Sequence, residues 1–296
     1  MAEENADQAA TMVAAQDAPA PIPPTYALAG PGGVGLYARL FAGYLGQYVR
    51  GRLEYRGDVL AGAFAELLQQ AVTLTFLGVI FTRVPSLRGW SRPEVYFVYA
   101  VFQLSWAVAE AFSGSVWGFG ERYIVRGELD RILLRPAPPI FQLLLEGVAV
   151  EPVSQVAAGL AILVWAAGAD ALHWAWWMPP LLAASVVAGG TVYVAVFFSL
   201  ACIAFWVDGR TGIAPLVFNL TTYAQYPVTI YGHWLRWLLT FLLPFAFAAF
   251  YPAAALLRPG QYLLWGLASL PVAAVTVGVA AVVWAQGLRR YQGAGS

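Results

Sequence analysis

The stretch GERYIVRGELDRILLRPAPP, residues 120–139, holds the densest charge in a chain that is otherwise mostly hydrocarbon. It lies between two runs apolar enough to be membrane spans. Within it Leu129, Ile132 and Leu133 recur at helical spacing, while Glu128, Asp130 and Arg131 face elsewhere. The pattern predicts a short amphipathic helix outside the bilayer, opened by Gly127 and closed by Arg135-Pro136, because proline cannot continue a helix. Such a helix is either a solvated connection between spans or a contact element that passes force from a soluble partner to them.

Composition frames that choice. Of 296 residues, 60% are hydrophobic and 11% charged; soluble domains are about a quarter charged. The chain therefore reads as a polytopic membrane protein. Its formal net charge is zero, which gives no nucleic-acid footprint. Every basic residue is Arg and none is Lys. A Walker A loop needs a Lys on the nucleotide phosphates, so ATP chemistry, if the system uses it, belongs to another chain. The single cysteine, Cys202, sits in an apolar run and reads as a small buried hydrophobe.

Residues 1–33 are Ala/Pro-rich, acidic and without periodicity, and read as a disordered cytoplasmic tail rather than a signal peptide. Residues 34–58 read as a basic amphipathic helix in the headgroup plane: Tyr37, Leu40, Phe41, Tyr44, Leu45 and Tyr48 form its stripe, with Arg39, Arg50, Arg52 and Arg56 as its charge. Residues 59–290 form the transmembrane domain and 291–296 a short tail. Five spans are plain in the hydropathy, at Val59–Thr82, Val95–Phe119, Ile140–Ala167, Met178–Trp206 and Tyr262–Gly287, each longer than the roughly 20 residues that cross a bilayer. For the remaining span hydropathy alone selects Trp234–Leu257.

Arg126-Gly127-Glu128-Leu129-Asp130-Arg131-Ile132-Leu133-Leu134-Arg135-Pro136 resembles the first cytoplasmic loop of ABC-2 type permeases, in the branch whose loop reads G-x-L-D-x-x-L-L-R-P. A second resemblance runs through Tyr226-Pro227-Val228-Thr229-Ile230-Tyr231, Trp234-Leu235-Arg236-Trp237-Leu238, Pro244 and Tyr251-Pro252. Together the two cover most of the chain from Tyr37 onward. The resemblance implies an all-α fold of type V exporter kind: six transmembrane helices, an N-terminal interfacial helix, a cytoplasmic coupling helix and a re-entrant outer-leaflet hairpin before the last span. On that reading the fifth span is Thr211–Tyr226 and the hairpin is Pro227–Leu257. Pro227, Pro244 and Pro252 are expected to interrupt its helices, and with Tyr226 and Tyr251 they form its gate.

With the N-terminus inside, eleven arginines fall on cytoplasmic segments and five (Arg83, Arg88, Arg92, Arg236 and Arg258) outside. That bias predicts both termini in the cytoplasm.

The resemblance further implies a permease subunit of an ATP-driven exporter in a bacterial inner membrane. It would pair with a second permease copy, identical or a sister, and with two copies of an ABC ATPase that carries the ATP and magnesium. Arg126, Gly127, Glu128, Leu129, Asp130, Arg131 and Leu133 are its expected ATPase contacts. The branch includes permeases linked to efflux of cationic toxins such as viologens; a lipid or glycan cargo is the alternative within the family.

The residues themselves add one feature. Glu66, Glu110, Glu146 and Glu151 fall inside spans, roughly 9–17 Å from their cytoplasmic ends at about 1.5 Å per residue. Intramembrane acids usually face a cavity, a partner or a transport path. They predict an acidic vestibule for a cationic or hydrophobic small molecule, with Gln69, Gln70, Gln103 and Gln155 as polar contacts. The alternative, stronger for Glu146 and Glu66 than for Glu110, is that an acid marks a longer cytoplasmic helix end or pairs with a nearby Arg. The same layer would suit an ion-coupled secondary transporter, and paired carboxylates a membrane enzyme, although no two acids pair visibly in the sequence. His173 and His233 lie 60 residues apart without ligand spacing, so no metal site is expected. No catalytic triad or G-x-S-x-G motif is present.

Overall fold

The computed structural model describes residues 43, 46, 56–135, 138–146, 148–149, 152–171, 175–207 and 214–291. The expected N-terminal tail, the interfacial helix at 34–58 apart from residues 43, 46 and 56–58, Glu151, His173 and the start of the expected fifth span lie outside them. The described residues are helical, with one isolated bridge between Leu87 and Trp90. The helices are α1 (Arg56–Arg83), α2 (Arg92–Trp117), α3 (Glu128–Leu133), α4 (Pro139–Glu146), α5 (Val153–Ala166), α6 (Met178–Ala201), α7 (Ala214–Thr221), α8 (His233–Trp237), α9 (Phe250–Leu257), α10 (Pro259–Leu267) and α11 (Ser269–Arg290). Among the described residues four helical stretches are long and apolar enough to cross a membrane: Leu60–Arg83, Arg92–Val125, Met178–Phe205 and Pro259–Arg290.

The order of packing follows from burial. α2 is the most buried of the four and α1 the least. α2 runs along α5 and α6, and α11 runs along α6. α2 starts sharply because its first turn is capped twice. Ser91 is the N-cap of a capping box, its backbone N–H donating to Glu94 Oε2 at 2.8 Å, and Pro93 sits where no donor is required. Gly189 and Gly190 let α6 approach its neighbours closely. A Cβ on the first would overlap the Ala248 carbonyl, and one on the second the Val108 side chain. Aromatic rings fill the seam between α2 and α6: Phe102, Trp106, Tyr193 and Phe245 contact one another in turn, with Trp106–Tyr193 centroids 5.2 Å apart and Tyr193–Phe245 5.0 Å.

The third apolar run departs from expectation. A single helix over Ile140–Ala167 is predicted, but the chain forms α4, a break, and then α5. Pro152 explains the break, because its ring and missing N–H forbid a continuous ladder and it sits just before α5 instead. A backbone group freed there finds a partner on α2, the Ala149 N–H donating to the Ala111 carbonyl at 2.9 Å. Val148 and Pro152 are buried, the shielding that non-helical backbone in an apolar setting requires.

Residues 226–258 form an inward-and-back excursion. Its near end is tied to the loop before α2, where Trp90 Nε1 donates to Thr229 Oγ1 at 2.8 Å. Its far end returns to the same loop through Arg258. Its middle lies deep in the fold, with Phe245 on Tyr193 and Phe197. Pro227 and Pro244 both sit between helical pieces, at the start of the turn Val228–Ile230 and of the turn Phe245–Phe247. Pro252 differs from expectation. It lies in the first turn of α9, where the helix tolerates it, and begins that helix rather than interrupting it.

Candidate functional site

A cavity of about 780 Å³ opens between four helices. α1 contributes Gly62, Ala65, Glu66 and Gln69, α2 contributes Trp106, Glu110, Ser113 and Trp117, α5 contributes Gln155, and α7 contributes Phe218. The spacings explain the convergence. Residues 62, 65, 66 and 69 share one face of α1, and 106, 110, 113 and 117 share one face of α2. Gln155 Nε2 donates to Glu110 Oε2 at 2.5 Å, which fixes that carboxylate against α5. The Phe218 ring stands 5.6 Å from Trp106 and 5.4 Å from Trp117.

The cavity therefore combines two carboxylates with three aromatic rings. Carboxylates supply negative potential, and ring faces attract cations by their quadrupole, more strongly where water is excluded. The donor set suits an organic cation better than an anion. Among the described residues no three His, Cys, Asp or Glu side chains converge as a metal ion would require.

Of the acids expected to form one layer, Glu66 and Glu110 meet here. Glu146 does not. It ends α4, where it accepts Arg135 Nη1 at 2.6 Å and the Tyr123 hydroxyl at 3.1 Å. Its sequence partner is the arginine eleven residues earlier rather than a vestibule. Gln103 is buried but lies against Gly159 of α5 and is not part of the cavity wall. Glu151 lies outside the described residues. Trp106, Ser113, Trp117 and Phe218 were missed as wall residues, although the first three share the helical spacing of Glu110.

A second region surrounds α3. Gly127 enters the helix with φ 71°, a left-handed conformation that glycine adopts without penalty. Arg122 Nε donates to Glu128 Oε2 at 2.6 Å, and Arg126 pairs with Glu121 at 3.4 Å. Leu129 and Ile132 are fully buried, so they anchor the helix to its own protein, and Leu133 is half-buried. Leu129 is thus a foundation and not a contact surface, which corrects its expected place among residues that touch a partner. The exposed face is built from Glu121, Val125, Arg126, Arg131 and Leu134, the last 84% exposed. Asp130 faces the end of α11, where burial, and after it the hydrogen bonding and charge of that carboxylate, push the Tyr291 hydroxyl up to about 12. α3 is joined to α4 by Gln142 Nε2 donating to the Ile132 carbonyl at 3.3 Å, besides the Arg135–Glu146 pair.

The residues expected to form a gate lie along the 226–258 excursion. Tyr226 and Pro227 mark its entry, and Pro244 lies buried at its deepest turn. Tyr251 and Pro252 lie buried on the return limb, where the Tyr251 ring stacks on Trp265 at 5.0 Å and its hydroxyl stands 3.4 Å from Thr240 Oγ1.

A model of the ABC-2 family transporter proteins matches residues 67–295. No curated protein and no solved structure matches the chain.

Proposed function

The chain belongs to the ABC-2 family of transporter proteins, and from that we propose that it is the permease subunit of an ATP-driven exporter of organic cations. The family is a membrane transport component that works with an ABC ATPase. The cavity walled by Glu66, Glu110, Trp106, Trp117 and Phe218 is the observation that carries the cargo. It pairs negative charge with aromatic rings, the combination suited to a cationic, partly apolar molecule.

The rest of the reading fits around it. α1, α2, α4 with α5, α6, α7 with the turn Thr222–Gln225, and α10 with α11 serve as six crossings. Residues 227–257 serve as the re-entrant hairpin, on the side of the loop 84–91. α3 and both termini lie in the cytoplasm, and the ATPase seats on the exposed face of α3. A 296-residue sequence without lysine has no Walker A loop, which supports an ATPase on separate chains. Two permease copies, identical or paired with a sister, bind two ATPase copies, which hold ATP and magnesium.

The test is transport in vesicles. The chain is reconstituted with and without its ATPase, and uptake of a fluorescent quaternary ammonium dye into inside-out vesicles is followed. ATP-dependent uptake that needs both proteins is the expected result. Uptake by the permease alone, driven by a pH gradient, would instead identify an ion-coupled transporter. ATP-dependent activity without any cation uptake would overturn the assigned cargo and leave the permease role standing.

A further inference from the structure

We infer that the protein carries a built-in site for one phospholipid, at the membrane surface on the side of the loop 84–91, with Arg236 holding the phosphate and an apolar groove holding an acyl chain. The inference is independent of what the protein transports.

Arg236 carries the charge half of the argument. Its Nη2 donates to the Thr229 carbonyl at 3.1 Å, and no acid among the described residues pairs with it. Its Nε is buried and has no hydrogen-bond partner. A partly buried charge without a counter-charge is costly, and a guanidinium fork suits the oxygens of a phosphodiester. Arg122, Arg126, Arg135 and Arg258, by contrast, each meet a carboxylate.

Depth supplies the second half. Thr229 also takes the Trp90 N–H, and the Trp90 ring lies under the Arg258 guanidinium at 4.0 Å. Arg236 therefore stands at the polar end of the fold. Its neighbours Trp234 and Trp237 are exposed, as side chains at the headgroup level are. One turn further in, on the same helix face, Thr240 lines a groove of about 880 Å³. The groove runs between the turn Leu238–Leu242, Phe247, α6 and α11, and its walls include Leu200, Leu220, Phe241 and Val272. A cation one turn along the chain from an apolar slot matches a glycerophospholipid, with its charge outermost and its chain buried.

The test uses delipidated protein in detergent, with thermal unfolding followed as phosphatidylglycerol is added. The comparison ligands are diacylglycerol with the same chains and inorganic phosphate alone. A ligand that binds the folded state raises Tm by mass action. The wild-type chain is expected to gain Tm from phosphatidylglycerol, less from diacylglycerol, and nothing from phosphate. Arg236→Gln should erase the advantage of the phospholipid over diacylglycerol and weaken its apparent affinity about tenfold or more, the loss of one charge-assisted hydrogen bond. Thr276→Trp, which fills the groove, should remove the response to both lipids while keeping Arg236. Equal responses to the two lipids in the wild-type chain overturn the site. So does an unchanged phospholipid response in either variant, or stabilisation by phosphate alone.

Discussion

Arg258 grips Glu94 with both arms of its guanidinium, Nε to Oε1 at 2.8 Å and Nη2 to Oε2 at 2.9 Å, across 164 residues of chain. The same Nη2 also reaches the Gly89 carbonyl at 2.6 Å. The hydrogen bond to Glu94, working against partial burial, raises the affinity of the arginine for its proton further. Glu94 is at once the capping residue of α2 and the counter-charge of the α9–α10 junction, so one side chain fixes two helix ends.

Arg258→Met and Glu94→Gln should each destabilise the protein by about 1–3 kcal/mol, because each leaves a partly buried partner unmatched. The double variant should lose less than the sum of the two, since no charge is then left alone. Thermal unfolding of the three variants in detergent measures the coupling. A strictly additive result would show that the pair holds nothing together.

Trp106→Leu should weaken binding of a quaternary ammonium dye by about 0.5–2 kcal/mol, the contribution of one ring face to a cation. Glu110→Gln can keep its hydrogen bond to Gln155 and should weaken the cation in the same direction without unfolding the protein. Glu146→Gln should leave dye affinity unchanged, because that carboxylate serves Arg135 and Tyr123. Fluorescence titration of the three variants separates the cavity from the rest.

Leu129→Ala should cost about 2–5 kcal/mol of stability, the range for a buried leucine in a core that cannot collapse. Leu134→Asp should leave stability within about 0.5 kcal/mol, as exposed substitutions usually do, yet reduce co-purification of the ATPase. Tm and pull-down yield should thus move separately for two leucines five residues apart. If Leu134→Asp left the pull-down intact, the seat of the ATPase would have to lie off this face.

Gly190→Leu should prevent folding, since even a Cβ there overlaps Val108 and overpacking a tight helix contact strains both partners. Gly278, on α11, has nothing within 4 Å of an added Cβ, so Gly278→Leu should be tolerated. Size-exclusion profiles of the two variants check the contrast.

Much of this arrangement is legible in the sequence because hydrocarbon content and length are one-dimensional signals. The spans at α1, α2, α6 and α11 follow from them. Glu66 and Glu110 stand out as costly charges in apolar runs. The split between α4 and α5 was hidden because Pro152 looks like one proline in a long apolar run. Its consequence depends on α2 lying close enough for the Ala111 carbonyl to take up the Ala149 N–H. Pro252 was misread for the converse reason, as a helix start satisfies the same residue that a helix middle rejects. The role of Glu146 turned on Arg135, since two residues separated by a proline-containing corner meet only once the chain has turned. Leu129 and Leu134 look equivalent in a hydropathy profile, and only packing tells the anchor from the exposed side chain.

The excursion 226–258 is fastened at both of its ends to a single short loop, by Trp90 at one and Gly89 at the other. A segment moored twice to the same quay cannot be drawn out by either rope. Any shift must carry the loop, the start of α2 and the whole excursion as one body. α1, with so little of its surface in contact with the others, has no share in either mooring.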